Sequence, residues 1–265
     1  MEIKKYIILY CVIFCLICSC SVQGQKIKKS DVYFAKALEH FEDKKYSKAK
    51  DHFDNIINEY AGTEMAIDAL YYLAFCEYEL QDFTNAKQSF NVYKRYSQDM
   101  LKIQSARFMM CLCMFELTLD YSKDQTDTYN ALEEFQIFIE DYPDSKYEAE
   151  VLEKIGLLRN KLALKKYDIA KLYIKSEKFD SARMYIDELL SQYYDTSYAD
   201  DARIGNIIIL LMENEKEQAQ VYLDKNKDRF KSEQKYFEAQ SIINNSNKRF
   251  RIKGIFFLDY INKIL

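Results

Sequence analysis

The residue with the most specific chemical setting in this chain of 265 is Cys20. Ile17-Cys18-Ser19-Cys20 places an aliphatic residue three before it and a small one directly before it. Upstream stand Lys4 and Lys5, then an apolar run from Tyr6 to Ile17, in the order of an export signal. The segment resembles a bacterial lipobox, in which the last cysteine becomes the lipidated N-terminus, although Cys18 at minus two is unusual. Cys18 is the poorer acceptor, because bulky Ile17 precedes it. Two other outcomes fit the same segment: an ordinary signal cleaved near Gly24, or a retained anchor. The apolar run is short for a membrane span, and the polar stretch from Ser21 to Ser30 follows at once. Position 21 is serine, not the aspartate that by resemblance to enteric lipoproteins holds a protein at the inner membrane.

Little else has the spacing of a catalytic or metal centre. The two histidines, His40 and His52, stand twelve apart on different expected helices, with no serine or cysteine set to pair with them. Four of the seven cysteines lie in the signal region, and the odd remainder, Cys76, Cys111 and Cys113, argues against a disulfide framework. Cys111 and Cys113 point to different helix faces, so they read as small core residues and not as a metal or redox pair. No glycine-rich phosphate loop is present. The acid pairs Glu133-Glu134 and Asp200-Asp201 read as solvated helix faces. No enzyme activity, metal or cofactor is expected. The net charge of −4 is interspersed, without the basic patch that nucleic acid requires.

The elements that carry these residues are helices. One proline, five glycines and no tryptophan leave nearly everything from Asp31 to Leu265 free to be helical. Tyr46-x-x-Ala49-x-x-x-Phe53 recurs as Phe83-x-x-Ala86-x-x-x-Phe90, 37 residues later, and Ala37 and Ala74 stand twelve before the two alanines. A period in the mid-thirties is that of helix-turn-helix units, each of which buries its apolar face against a neighbour. Ala131 with Phe135, Ala182 with Ile186, and Ala219 with Leu223 extend the pattern. Three junctions align: Tyr60-Ala61-Gly62-Thr63, Tyr142-Pro143-Asp144-Ser145 and Tyr193-Tyr194-Asp195-Thr196. In each a tyrosine closes one helix and a hydroxyl residue is placed to cap the next, with Ser145 and Glu148 forming a capping box.

The expected fold is all-α, a tetratricopeptide-like helix-turn-helix solenoid of about five repeats: 31–60, 63–97, 101–142, 145–193 and 196–230. The longer interval from Ala86 to Ala131 places an insertion in the third repeat, at Ser122 to Thr128. One helix of about thirty residues joins the third and fourth. The organisation is a signal peptide over 1–19, a lipidated tether over 20–30, repeats one to three over 31–142, repeats four and five over 143–247, and a capping segment over 248–265. For that last segment, with its basic start and apolar continuation, a membrane-surface or partner-binding role is the alternative. If Ala37 and Ala74 mark close helix approach, Phe34, Leu38, Phe41, Tyr71, Phe75 and Tyr78 face an inner groove, suited to an extended chain with aromatic side chains. Ordinary interhelical packing is the competing reading for each ring.

The stretch from Asp124-Gln125 through Ala131, Phe135, Tyr142-Pro143-Asp144-Ser145-Lys146-Tyr147, Leu158-Arg159-Asn160-Lys161-Leu162-Ala163, Ile169-Ala170-Lys171-Leu172-Tyr173 and Phe179-x-x-Ala182 resembles the BamD family of outer membrane assembly lipoproteins. The resemblance covers the whole mature chain. It departs from the family at the junctions, where Ala61, Ser97 and Tyr194 replace common prolines, and at Leu164 and Lys165, where an acidic residue is often found. It implies a periplasm-facing scaffold, lipid-anchored to the outer membrane, bound to the periplasmic domains of the barrel subunit BamA and to other assembly-machinery subunits. It also implies that unfolded outer membrane proteins are clients, engaged through their C-terminal signals. A different periplasmic tetratricopeptide adaptor, serving cell-envelope or peptidoglycan coordination, is the alternative.

Overall fold

The structure, a computed structural model, describes residues 29–249. The signal, Cys20 and most of the segment over 248–265 lie outside them. Among the described residues the secondary structure is helical throughout, as expected of a tetratricopeptide-like chain. The helices are α1 (Lys29–Glu42), α2 (Tyr46–Glu59), α3 (Glu64–Glu79), α4 (Phe83–Tyr96), α5 (Met100–Glu116), α6 (Thr126–Asp141), α7 (Glu148–Lys175), α8 (Phe179–Gln192), α9 (Tyr198–Met212), α10 (Lys216–Lys225) and α11 (Glu233–Arg249), with a 3-10 turn at Lys227–Arg229. The chain divides within α3 into two compact units, one ending at Cys76 and the other starting at Glu77.

In the first unit α1 packs on α2, and the core is Ala37, Ala49, Phe53, Ile56, Ala69, Leu73 and Cys76. In the second unit each helix packs on the next, from α4 to α11, and α7 and α11 also reach α9. The repeat alanines Ala49, Ala86, Ala131, Ala182 and Ala219 are all fully buried, as is the large residue four later in each case: Phe53, Phe90, Phe135, Ile186 and Leu223. An alanine at the crossing lets two backbones approach, and the ring or branched chain one turn on fills the space beside it.

Four of the hairpins share one turn. Lys44, Gln81, Glu177 and Asn214 adopt positive φ of 59°, 62°, 55° and 66°, each five residues before its repeat alanine. The next backbone N–H donates back across the turn, from Lys45 to the His40 carbonyl at 2.8 Å, Asp82 to Glu77 at 2.8 Å, Lys178 to Tyr173 at 2.9 Å and Glu215 to Leu210 at 2.8 Å. This is the Schellman closure of a helix C-terminus, here without glycine at the left-handed position. Such a backbone costs on the order of 1 kcal/mol per site, offset by the satisfied carbonyls and by the packing that the turn aligns.

The third hairpin has a different turn. Its loop spans 117–125, earlier than the expected Ser122 to Thr128, because Thr126 and Thr128 already belong to α6. Buried Gln125 organises it by donating to the Asp120 carbonyl at 2.9 Å, while the Thr128 hydroxyl donates to Gln125 Oε1 at 2.9 Å. The junction tyrosines Tyr60, Tyr142 and Tyr193 close their helices as expected. Capping by the hydroxyl residues is less regular. Thr63 Oγ1 accepts from Ala66 N at 3.2 Å, but Ser145 accepts from Tyr147 N at 3.2 Å and the Thr196 hydroxyl donates to the Tyr193 carbonyl at 2.7 Å. The Ser145-Glu148 capping box does not form, because Glu148 is already the first helical residue and lies too early to reach back. The long helix α7 has 28 residues, about 42 Å at 1.5 Å per residue.

Cys76, Cys111 and Cys113 are buried, and burial pushes the Cys111 and Cys113 thiols up to about 12, as suits core residues. The two histidines stack across the α1–α2 hairpin, with ring centroids 5.1 Å apart and planes 16° from parallel. Burial, then the charges of His40 and Lys36, hold His52 below its ordinary 6.5, against the opposing pull of Asp51.

Ala49→Leu is expected to overpack the first hairpin and cost about 1 to 3 kcal/mol, read as a fall in the denaturant midpoint. An unchanged midpoint contradicts the crossing. A second expectation concerns pH. The His52 site binds protons more weakly folded than unfolded, so its stabilising share is complete above 6.5 and is lost as pH falls through the lower folded-state value. Thermal melts across that window should show a smaller pH slope for His52→Gln than for the parent; equal slopes rule out the coupling.

Candidate interaction site

The candidate groove residues divide between the two units. Phe34, Leu38 and Phe41 share the face of α1 that also buries Ala37, and all three pack half-buried on the first unit's core. Tyr71 and Phe75 lie on α3, their ring centroids 4.9 Å apart in an edge-to-face pair. Phe75 meets Phe41 at 6.4 Å in the same manner. The centre of this cluster is Tyr72, which the repeat register does not single out. It stacks on Phe53 at 5.6 Å and meets Phe34, Phe41 and Tyr71 edge-on at 6.0, 5.4 and 5.5 Å. No sequence signal marks it, since the equivalent position before Ala37 is Ala35. Tyr78 belongs to the second unit, where its ring lies 5.3 Å from Phe83 and burial pushes its phenol up to about 12.

Five of the six candidates therefore form one connected aromatic and aliphatic surface with Tyr72. Each is half-buried, so part of the side chain serves helix packing while another part reaches the surface. A cluster of this kind offers large contact area at low entropy cost. Rings already held edge-to-face lose little further freedom on binding.

The second unit carries a polar series. Arg107 on α5 pairs with Asp141 at the end of α6 and lies over the Tyr142 ring at 5.5 Å. Arg159 on α7 donates to both Asp195 oxygens, from Nη2 at 2.5 Å and Nε at 3.0 Å, to the Gln192 carbonyl at 2.7 Å, and lies over Tyr193 at 5.5 Å. Arg203 on α9 lies over Phe230 at 5.8 Å. In three successive repeats an arginine of the first helix thus lies over an aromatic ring that follows the next helix: Tyr142 after α6, Tyr193 after α8, and Phe230 after α10 and the 3-10 turn. Asp200 and Asp201 do not form the expected solvated face. Asp200 is buried and accepts from Arg203 at 2.8 Å and from the backbone N–H groups of Lys231 and Ser232 at 3.0 and 2.9 Å, while Asp201 pairs with Lys235 at 2.8 Å. The chain folds back over α9 at the start of α11, which covers both carboxylates. No local sequence pattern signals that return.

Beside α7, a cleft of about 410 Å³ is lined by Leu119, Tyr121, Leu157, Lys161 and Tyr198 among others. Lys161 donates into its wall, to Thr118 Oγ1 at 2.6 Å and the Leu119 carbonyl at 3.2 Å, and burial lowers its ammonium below the usual lysine range. These contacts occupy the lysine in holding the 117–125 loop. Among the described residues no three histidine, cysteine or carboxylate side chains gather at metal-binding distance.

Known proteins share this sequence in part. The curated relatives include the outer membrane protein assembly factor BamD of Rickettsia prowazekii, 26% identical over 159 residues, which take in 60% of this chain and 63% of that one. BamD of Buchnera aphidicola is 22% identical over 223 residues, 76% of this chain and 88% of its own. The match to BamD of Caulobacter vibrioides, 26% identical over 99 residues, spans only 32% of that protein. The chain thus spans less than two thirds of the Rickettsia and Caulobacter proteins that it matches. A solved tetratricopeptide repeat protein from Parabacteroides merdae aligns over 82% of this chain and 99% of its own at 12% identity, with a TM-score of 0.28. That superposition is too loose to add to what the helix pairs show by themselves. The model of the YfiO family, described as outer membrane lipoprotein, matches residues 26–229, through every hairpin described above, and the chain belongs to that family.

Proposed function

We propose that this chain is a lipid-anchored scaffold of outer membrane β-barrel assembly, facing the periplasm. In this reading it is held at the outer membrane through Cys20. It binds the periplasmic domains of BamA together with other subunits of the machinery, and it receives unfolded outer membrane proteins. The observation that carries the reading is the family match over 26–229, which takes in the helical array through α10, together with relatives that are assembly factors by name. The lipobox at Ile17 to Cys20 supports the anchor, since acyl chains contribute about 0.8 kcal/mol per buried methylene. The aromatic surface around Tyr72 suits a client segment. Strand-forming chains alternate large apolar and aromatic residues, and rings at Phe34, Phe41, Tyr71 and Phe75 offer edges and faces to them. Tyr78, in the second unit, is a separate candidate for client contact.

Cys20→Ala is expected to move the protein from the membrane fraction to the soluble periplasmic extract with its helical circular dichroism intact; unchanged partitioning overturns the anchor. Affinity purification from detergent-solubilised envelopes should recover a large barrel protein with repeated periplasmic domains in stoichiometric amount. Recovery of cell-wall or division proteins in its place overturns the assembly role. For the client surface, Tyr71→Ser should weaken crosslinking to a C-terminal barrel-strand peptide several-fold without changing that recovery. Full crosslinking by the variant removes Tyr71 from the surface.

A further inference from the structure

Helix α1 has a face that the first unit does not use. Ala37, Phe34, Leu38 and Phe41 point it into the core, and on the other side Val32 is 56% and Tyr33 40% exposed. Lys29 and Lys36 flank them at helical spacing, so the four residues 29, 32, 33 and 36 form one stripe. The Lys29 ammonium lies over the Tyr33 ring at 5.4 Å. The sequence immediately before the helix is also basic, with Lys26 and Lys28. Acidic residues limit the stripe further along: Glu39 and Glu42 are exposed on later turns, and Asp31 lies to the side.

We propose that this stripe rests on an anionic lipid surface, the leaflet that holds the chain's own acyl group. The proposal rests on lipidation at Cys20. Lys29 stands nine positions after Cys20, and a chain over that interval extends at most about 32 Å. The N-terminal turn of α1 would therefore stay within that distance of the leaflet whatever path the intervening residues take. The chemistry of the stripe suits that place. Lysines bury their stems and reach phosphate with their ammonium groups, tyrosine is at home where one end is apolar and the other wet, and valine enters the boundary between them. Basic residues beside an anchor are drawn to anionic headgroups, and the acidic later turns are repelled, so α1 meets the surface with its N-terminal half.

The absence of tryptophan makes a direct test available. Tyr33→Trp introduces a single indole on the stripe, and Tyr46→Trp places one at the far end of the same hairpin, where the native ring packs on Phe41 at 5.8 Å. Each lipidated full-length variant is reconstituted into vesicles of phosphatidylethanolamine and phosphatidylglycerol, with and without brominated acyl chains, and recovered by flotation. The expected result for the Tyr33→Trp variant is a blue shift, together with a loss of emission in brominated vesicles, while the emission of the Tyr46→Trp variant is unaffected. Flotation of the Tyr33→Trp variant without quenching overturns the docking while leaving the anchor in place. A blue shift without bromine quenching means that protein and not lipid covers the face, and overturns it equally. Failure to float overturns the anchor and the docking with it. Adding Lys29→Glu and Lys36→Glu to the Tyr33→Trp variant should abolish the quenching but not the flotation, and quenching that survives both changes also counts against the proposal.

Discussion

The close approach of paired helices at a buried alanine is the constraint on which the rest of this structure depends. Ala49, Ala86, Ala131, Ala182 and Ala219 are each without solvent exposure, and each is followed one turn later by a fully buried large side chain. An alanine one residue out of register would put a large side chain at the crossing and leave a void where the ring should be. Either error costs kilocalories in a close-packed interior. The turn that precedes four of these alanines enforces the register. The left-handed residue is always five positions upstream, so its hydrogen-bonded closure delivers the second helix with the alanine already aimed at the first. Lysine, glutamine, glutamate and asparagine hold that position where glycine would be less strained. Their strain is tolerated because the surrounding helices leave the backbone no alternative.

The second unit places a cation at the far end of three of its hairpins. Arg107, Arg159 and Arg203 come from the first helix of successive repeats and lie over the aromatic residue that follows the next helix or its 3-10 extension; Arg107 and Arg159 also pair with a carboxylate there, and Arg159 with the Gln192 carbonyl, where the helix dipole favours positive charge. The planar guanidinium is suited to this because it bonds in its plane and stacks over an aromatic ring with its face. Asp200 is the extreme case. A buried carboxylate is costly unless every oxygen is satisfied, and here a guanidinium and two backbone N–H groups do so. The same bonds fix where α11 starts, so the burial of one charge decides the path of the last described helix.

What could be read from the sequence follows the range of the physics involved. The alanine-and-ring period is local and repeats, so it placed the hairpins closely; the aligned junctions placed the tyrosine helix ends, and a stretch whose only breaker is Gly156 marked the long α7. Thr63 was legible as a cap for the same reason. The insertion was legible as an excess of residues but misplaced within the third repeat, because Gln125 orders its loop through contacts that no spacing reveals. Asp200 and Asp201 looked solvated because their covering comes from residues about thirty positions later. Tyr72 was missed because the register compares equivalent positions, and its counterpart is an alanine. The aromatic surface is a property of one hairpin's neighbours and not of the repeat.

A tethered protein changes what counts as a sufficient contact. One acyl chain gives only marginal membrane residence, and a lipoprotein carries more than one, so holding the protein at the leaflet asks nothing of the folded domain. Orientation is a separate matter, since the proposed anchor at Cys20, nine positions before Lys29, would fix a distance but not a direction. The proposed tether would raise the effective concentration of the leaflet seen by α1 to a high value, so that a stripe of two apolar residues and two lysines, too weak to bind membrane alone, would become populated. The same reasoning applies to the aromatic surface around Tyr72. On the proposed role, a client held elsewhere on the machinery would not need to bind those rings tightly, and a weak, exchangeable contact would be the more useful one for a chain to be passed onward into the membrane. Half-buried rings, committed on one side to packing and open on the other, have the rigidity for recognition without the exposed area that would retain what they recognise.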